Sequence, residues 1–203
     1  ILAIKPDIIF HWDEAWFAYA YFNPIYHGRT AMSVANKLQT TLRSPAYREF
    51  YEKWTQQHEE QLDDTQNKDA SHNPRLALQL FPDPDAVILR VYSTQSTHKT
   101  LTAFRQGSML HVFDEHFNRE LFLESYRMHT STSPNYQIIA SLDVGRRQVS
   151  LEGYERVKRA IELSYNLRQN INQTDLLKPY FKILADQELI PEQYRNPQGV
   201  GAA

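Results

Sequence analysis

Three short runs of apolar, β-branched and aromatic residues set the strongest limit on how this chain can fold. "DIIFHW" (7–12), "VILRVY" (87–92) and "SMLHVF" (108–113) each read as a buried strand. Segments of helical period separate or follow them. "SPAYREFYEKWTQQHEEQLDDTQ" offers Ser44 as N-cap and Pro45 at the first helical position, with Tyr47, Phe50, Tyr51, Trp54 and His58 or Leu62 along one face. "NKDASHNPR" (67–75) breaks any helix, and "FPDPDA" (81–86) is a turn leading into the second strand. "NRELFLESYRM" and "NYQIIASLDVGRRQV" read as two more helices, and 151–171 as a long third. Strands alternating with helices imply parallel pairing and the α/β class. Too few residues join the second and third strands for a long helix, so a brief crossover holding Lys99 is expected there. "PYFKIL" (179–184) reads as a weaker strand opening a second domain.

Composition narrows the function. A net charge of −2, with acids and bases intermixed, supplies no basic field for a nucleic-acid backbone. No cysteine is present, which removes disulfides, thiolate metal sites and thiolate nucleophiles. The longest apolar runs fall far short of the roughly 20 residues that cross a bilayer. A soluble cytoplasmic protein, with neither membrane nor nucleic acid as partner, is the plain expectation. The eight histidines form no HxxxH pair and no cluster with carboxylates at ligand spacing, so no metal is expected. Six glycines form neither GxGxxG nor GxxxxGK[ST], so the usual phosphate-cradling loops are absent. The chain opens on Ile1 almost directly into a strand and stops after "YRNPQGVGAA", as a piece of a longer protein would.

Ligands of open α/β sheets gather at the carboxyl ends of the strands. Two such ends are unusual here. Asp13 follows "IIFHW", and Ser96, Thr97, His98 and Lys99 follow "VILRVY". Lysine is seldom buried without a partner. A carboxylate and an ammonium on one rim suit a structural ion pair. They also suit pyridoxal phosphate, whose aldehyde takes a lysine amine and whose pyridinium nitrogen takes an acid. The residues alone leave both open. His111, within "MLHVF", reads as a satisfied core histidine, and Asp114, Glu115 and His116 read as a turn before they read as catalytic acids.

Four blocks add a resemblance. "FHWDEAWFAYAYFNPIYHGRTAM" (10–32), "STQSTHKTLTAFRQGSMLHV" (93–112), "FLESYRMHTSTSPNYQIIASLDV" (122–144) and "DLLKPYFKILADQELIPEQYR" (175–195) resemble successive segments of the bacterial ornithine/lysine/arginine decarboxylases. Those enzymes are pyridoxal-phosphate-dependent and share the aspartate-aminotransferase-like fold. The resemblance implies part of a fold-type I large domain over 1–150, with a mostly parallel sheet flanked by helices and a helical insertion at 33–86. A long interdomain helix at 151–173 and the start of a small C-terminal domain at 174–203 would follow. It implies Lys99 as the lysine that bonds the cofactor, Asp13 as partner of the pyridinium nitrogen, Ser96 and His98 as phosphate contacts, and Trp16 as a pocket wall. It also implies Thr130 and Ser131, in "MHTSTSP", as residues reaching the neighbouring subunit's site in a homodimer or larger homo-oligomer. The reaction implied is loss of CO2 from lysine, ornithine or arginine, leaving the diamine or polyamine.

Three departures stand beside it. The 33–86 stretch is longer than the family's connection, and its helix from Pro45 suits packing or a partner contact. Arg105 and Gly107 occupy positions where the family usually carries serine and alanine. The family's phosphate turn and ring-stacking histidine would precede Ile1. A non-catalytic structural or regulatory homologue and an aminotransferase of the same fold are the alternatives.

Overall fold

The computed structural model describes residues 1–58 and 80–191. It divides the chain into two units. One comprises Ile1–Glu14, Ala31–Gln95 and Ser108–Pro134; the other comprises Ala15–Thr30, Ser96–Gly107 and Asn135–Ala203.

The first unit is built on a sheet of β1 (Ile9–Asp13), β2 (Arg90–Ser96) and β3 (Ser108–Asp114), in that spatial order. β1 runs parallel to β2, with Ile9 level with Arg90 and Asp13 level with Thr94. β3 turns back against β2: Glu115 N–H donates to Leu89 C=O beyond one end, and Thr97 N–H donates to Gly107 C=O beyond the other. The expected crossover is therefore a hairpin. A parallel return needs a connection of a dozen or more residues, and 97–107 is shorter than that. β1, expected to be buried, is an edge strand flanked among the described residues by β2 alone, and its Ile9 and Trp12 are 51% and 54% accessible.

Helix α1 (Pro24–His27) precedes α2 (Ala31–Leu42), an element with no clear signature in the sequence. Ala31, Ala35, Leu38 and Leu42 recur at helical spacing along one face of α2. They join Val87, Leu89 and Val91 in the core, with Phe10 and Phe113 packed alongside. α3 (Pro45–Gln57) begins where the sequence places it, its Ser44 Oγ accepting the Tyr47 N–H at 3.2 Å. Its aromatic face packs on Phe81, with Phe50 and Trp54 meeting that ring edge-on at 4.8 and 5.5 Å. His58 caps the helix and stacks on Trp54. Leu62, His72 and the 67–75 breaker lie outside the described residues. α4 (Arg119–His129), capped by Asn118, closes the unit.

In the second unit α1 packs on a short 3₁₀ turn (Ala18–Phe22), which in turn packs on α5 (Tyr136–Gln173). Two helices expected across 136–171 form one 38-residue helix. No proline interrupts it, and Gly145 and Gly153 are spent on close approach: a Cβ on Gly153 would stand 2.7 Å from Phe22 Cδ1. α6 (Asp186–Leu189) is a single turn. The strand expected at 179–184 does not form. The chain turns through 174–181, and Ile183 satisfies both backbone groups on the Asn172 side-chain amide instead of a neighbouring strand. Among the described residues no helix is long and apolar enough to cross a membrane.

Candidate active site

The second unit brings Trp16, His98 and Lys99 together, and the reason lies in how the 97–107 loop is held. Thr97 N–H closes its base on the Gly107 carbonyl at 3.1 Å, and His98 Nδ1 meets the same oxygen at 3.1 Å. A carbonyl only accepts, so Nδ1 carries the proton, and Nε2 has no hydrogen-bond partner among the described residues. A Cβ on Gly107 would lie 2.5 Å from Thr97 Oγ1, which explains glycine at the hinge. The far side of the loop rests on α5. Phe104 N–H donates to Ser141 Oγ at 3.0 Å, and Gly145 lets the Thr102 carbonyl come so close that a Cβ would sit 1.8 Å from it.

Lys99 stands at the crown of this loop. Its Nζ lies 5.2 Å from the centroid of the Trp16 ring, within cation–π range. The Ser96 N–H, donating to the Ala15 carbonyl at 3.4 Å, ties the segment carrying Trp16 to the end of β2. Trp16, His98, Lys99, Arg105 and Gln106 line a cleft of about 310 Å³ that contains no carboxylate. On either side of the His98–Lys99 pair, the Thr97 and Thr100 hydroxyls are buried and have no hydrogen-bond partner among the described residues.

The remaining candidates belong to the first unit. Asp13 is the last residue of β1, exposed, on the face shared by Thr94 and opposite that of Ser93 and Gln95. Thr130 is the C-cap of α4, and Ser131 Oγ accepts the Ser133 N–H at 3.1 Å. Both are exposed.

Reading the sequence missed Glu14. This side chain is 8% accessible and accepts three hydrogen bonds, from Ala31 N–H (2.7 Å), Ser93 Oγ (2.7 Å) and Gln95 Nε2 (2.9 Å). Placing a carboxylate on the first N–H of α2 is favoured by the helix dipole. Gln95 Oε1 accepts in turn from His111 Nε2 at 3.1 Å, so His111 is a satisfied histidine. The signal was present in β2, where Ser93 and Gln95 fall two apart on the buried face; polar residues there require a polar partner.

Asp114 and Glu115 are structural. Burial raises the pKa of both, yet hydrogen bonds outweigh it and hold both carboxyls below their ordinary range. Arg90 and Tyr92 do so for Asp114; Gln39, the Leu89 N–H and Arg43 do so for Glu115. Among the described residues no group of three or more histidine or acidic side chains is disposed to hold a metal.

Comparison with known proteins places this geometry in context. Residues 76–193, more than half of the chain, match the family "Orn/Lys/Arg decarboxylase, major domain". The chain is 30% identical to the lysine decarboxylase of Hafnia alvei over 173 residues, which is 81% of this chain and 16% of that protein. It is 31% identical over 136 residues to the biodegradative arginine decarboxylase of Escherichia coli K12, 66% of this chain and 12% of that one. Lysine decarboxylase A from Pseudomonas aeruginosa, a solved structure, superposes with a TM-score of 0.50 at 25% identity, covering 87% of this chain and 18% of that chain. The chain thus spans about a sixth of the length of such relatives.

Proposed function

Because the chain belongs to the Orn/Lys/Arg decarboxylase major-domain family, we propose that it forms part of an enzyme that uses pyridoxal phosphate to release the carboxylate of lysine, ornithine or arginine as CO2. The observation that carries this reading is the cleft in which the Lys99 ammonium lies against Trp16 beside His98. The residues present fit the cofactor. The cleft supplies an amine for the aldehyde, an aromatic wall and a ring nitrogen. No carboxylate lines it to repel a phosphate.

In this reading Lys99 holds the cofactor through its ε-amine, His98 and Ser96 contact its phosphate, and Trp16 walls the pocket. Asp13 supplies the carboxylate that keeps the pyridine nitrogen protonated. Bound there, pyridoxal phosphate supplies the electron sink that lets a carbon–carboxylate bond break. The chain's own contribution is orientation. The Gly107 hinge and the α5 bed under the loop fix where the lysine amine stands, and His98, with Nδ1 committed to a carbonyl, keeps Nε2 available.

The proposal extends to organisation. Residues 1–150 belong to the cofactor-binding large domain, 151–173 to an interdomain helix and 174–203 to the start of a further domain. Thr130 and Ser131 reach the neighbouring subunit's site in a homodimer or larger homo-oligomer located in the cytoplasm. Release of CO2 from carboxyl-labelled lysine, ornithine and arginine, assayed on the whole gene product and on its Lys99→Ala variant, tests the reading. Release that depends on Lys99 supports it. A wild-type protein that binds the cofactor and releases none from any of the three overturns it.

A further inference from the structure

The Lys99 cleft contains a second cation that the proposed roles leave unused. Arg105 lines it together with Trp16, His98, Lys99 and Gln106. Arg105 has no ion pair or hydrogen-bond partner among the described residues, and it lines with Lys99 one space of about 310 Å³ whose lining includes no carboxylate.

Two like charges facing one cleft repel each other, and that cost is relieved when an anion enters between them. A guanidinium is suited to this task. It stays charged at any working pH, and its planar fork matches two oxygens of a phosphate or carboxylate. The same charge disfavours the distal ammonium or guanidinium of a basic amino acid, so a substrate must turn its carboxylate, not its side chain, toward this end of the cleft.

From this we propose that Arg105 is the anion-contacting residue of the Lys99 cleft, binding an oxyanion group: the phosphate of the cofactor or the carboxylate of the amino acid. The inference rests on the reading of Lys99 given above, and the test separates the two. The apo form of the whole gene product and its Arg105→Ser variant are titrated with pyridoxal phosphate and with pyridoxal, which lacks the phosphate, following absorbance. Steady-state kinetics with the preferred basic amino acid are then measured at saturating cofactor.

If Arg105 holds the phosphate, Arg105→Ser weakens pyridoxal phosphate binding by about tenfold or more and leaves pyridoxal binding unchanged, since a hydrogen bond to a charged group contributes about 1.5–3 kcal/mol. If it holds the substrate carboxylate, both cofactor affinities are unchanged and KM rises by a similar factor. Arg105→Lys, which keeps the charge and loses the fork, restores part of either effect. Unchanged cofactor affinities together with an unchanged KM overturn the proposal. Failure of the wild-type protein to bind pyridoxal phosphate through Lys99 is a different result, and it overturns the functional reading instead.

Discussion

The Lys99 ammonium lies 5.2 Å from the ring centroid of Trp16, and the two residues arrive there from opposite ends of a hydrogen-bonded junction between Ala15 and Ser96. An exposed cation–π pair contributes about 0.5–1 kcal/mol. The ring is also the proposed wall of the cofactor pocket, and an aromatic contact of about 0.5–1.5 kcal/mol makes Trp16→Ala expected to weaken cofactor capture by roughly two- to tenfold, while Trp16→Phe retains most of it. Equilibrium titration of both variants checks this; equal losses in the two would show that the ring face is not what matters.

Glu14 is expected to be a stability-sensitive acid of the first unit. Truncation in Glu14→Ala leaves the Ala31 N–H, Ser93 Oγ and Gln95 Nε2 buried without their acceptor. Each orphaned buried donor costs about 1–3 kcal/mol, with partial relief from relaxation and entering water. A loss of about 2–4 kcal/mol, read from denaturant midpoints, is the expected outcome. Glu14→Gln should cost less, because it keeps one acceptor oxygen for the α2 N-terminus.

Much of this was legible in the sequence and some was not, for physical reasons. Ser44 and Pro45 announce α3 because a cap is a local device: the residues that make it are neighbours in the chain. Asp13, His98 and Lys99 stand out in the sequence because strand ends carry ligands in α/β sheets, and the structure brings His98 and Lys99 to one cleft with Trp16. The partner of Lys99 was not legible, since spacing says nothing of which ring a loop lysine will meet. α2 escaped notice because its buried face is largely alanine and leucine within a polar stretch, a weak pattern that only the sheet beneath it explains. Glu14 escaped because a charged residue on a strand reads as exposed until its three donors are known. "PYFKIL" has the composition of a strand, but a strand needs a neighbour, and Asn172 takes that place.

Gly145→Ala is expected to disturb the Lys99 loop through the backbone. The added methyl would meet the Thr102 carbonyl at 1.8 Å, and a carbonyl in that position cannot swing aside like a side chain. A destabilisation of about 1–3 kcal/mol is expected from overpacking. It should be accompanied by loss of amide-exchange protection at Phe104, whose N–H bonds Ser141 on the same helix. Gly153→Ala presses on the Phe22 ring, a rotatable side chain, and should cost less.

Stability should fall on the acid side for a nameable reason. Asp114 and Glu115 have folded-state pKa values held below their unfolded values, so the unfolded chain binds protons first as pH drops. Their stabilisation is complete above the unfolded carboxylate pKa of about 4 and is lost as pH falls through the lower folded values. Asp114→Asn should flatten the pH dependence of the unfolding midpoint in that acidic window while lowering stability at neutral pH, where Arg90 and Tyr92 lose their charged partner.

The most direct measurement is covalent. The whole gene product is loaded with pyridoxal phosphate, reduced with borohydride and digested, and the peptides are weighed by mass spectrometry. The expected result is a phosphopyridoxyl group on the peptide carrying "STHK", fixed to Lys99 and lost in Lys99→Ala. A label on another lysine, or a reduced protein that carries none, would contradict it.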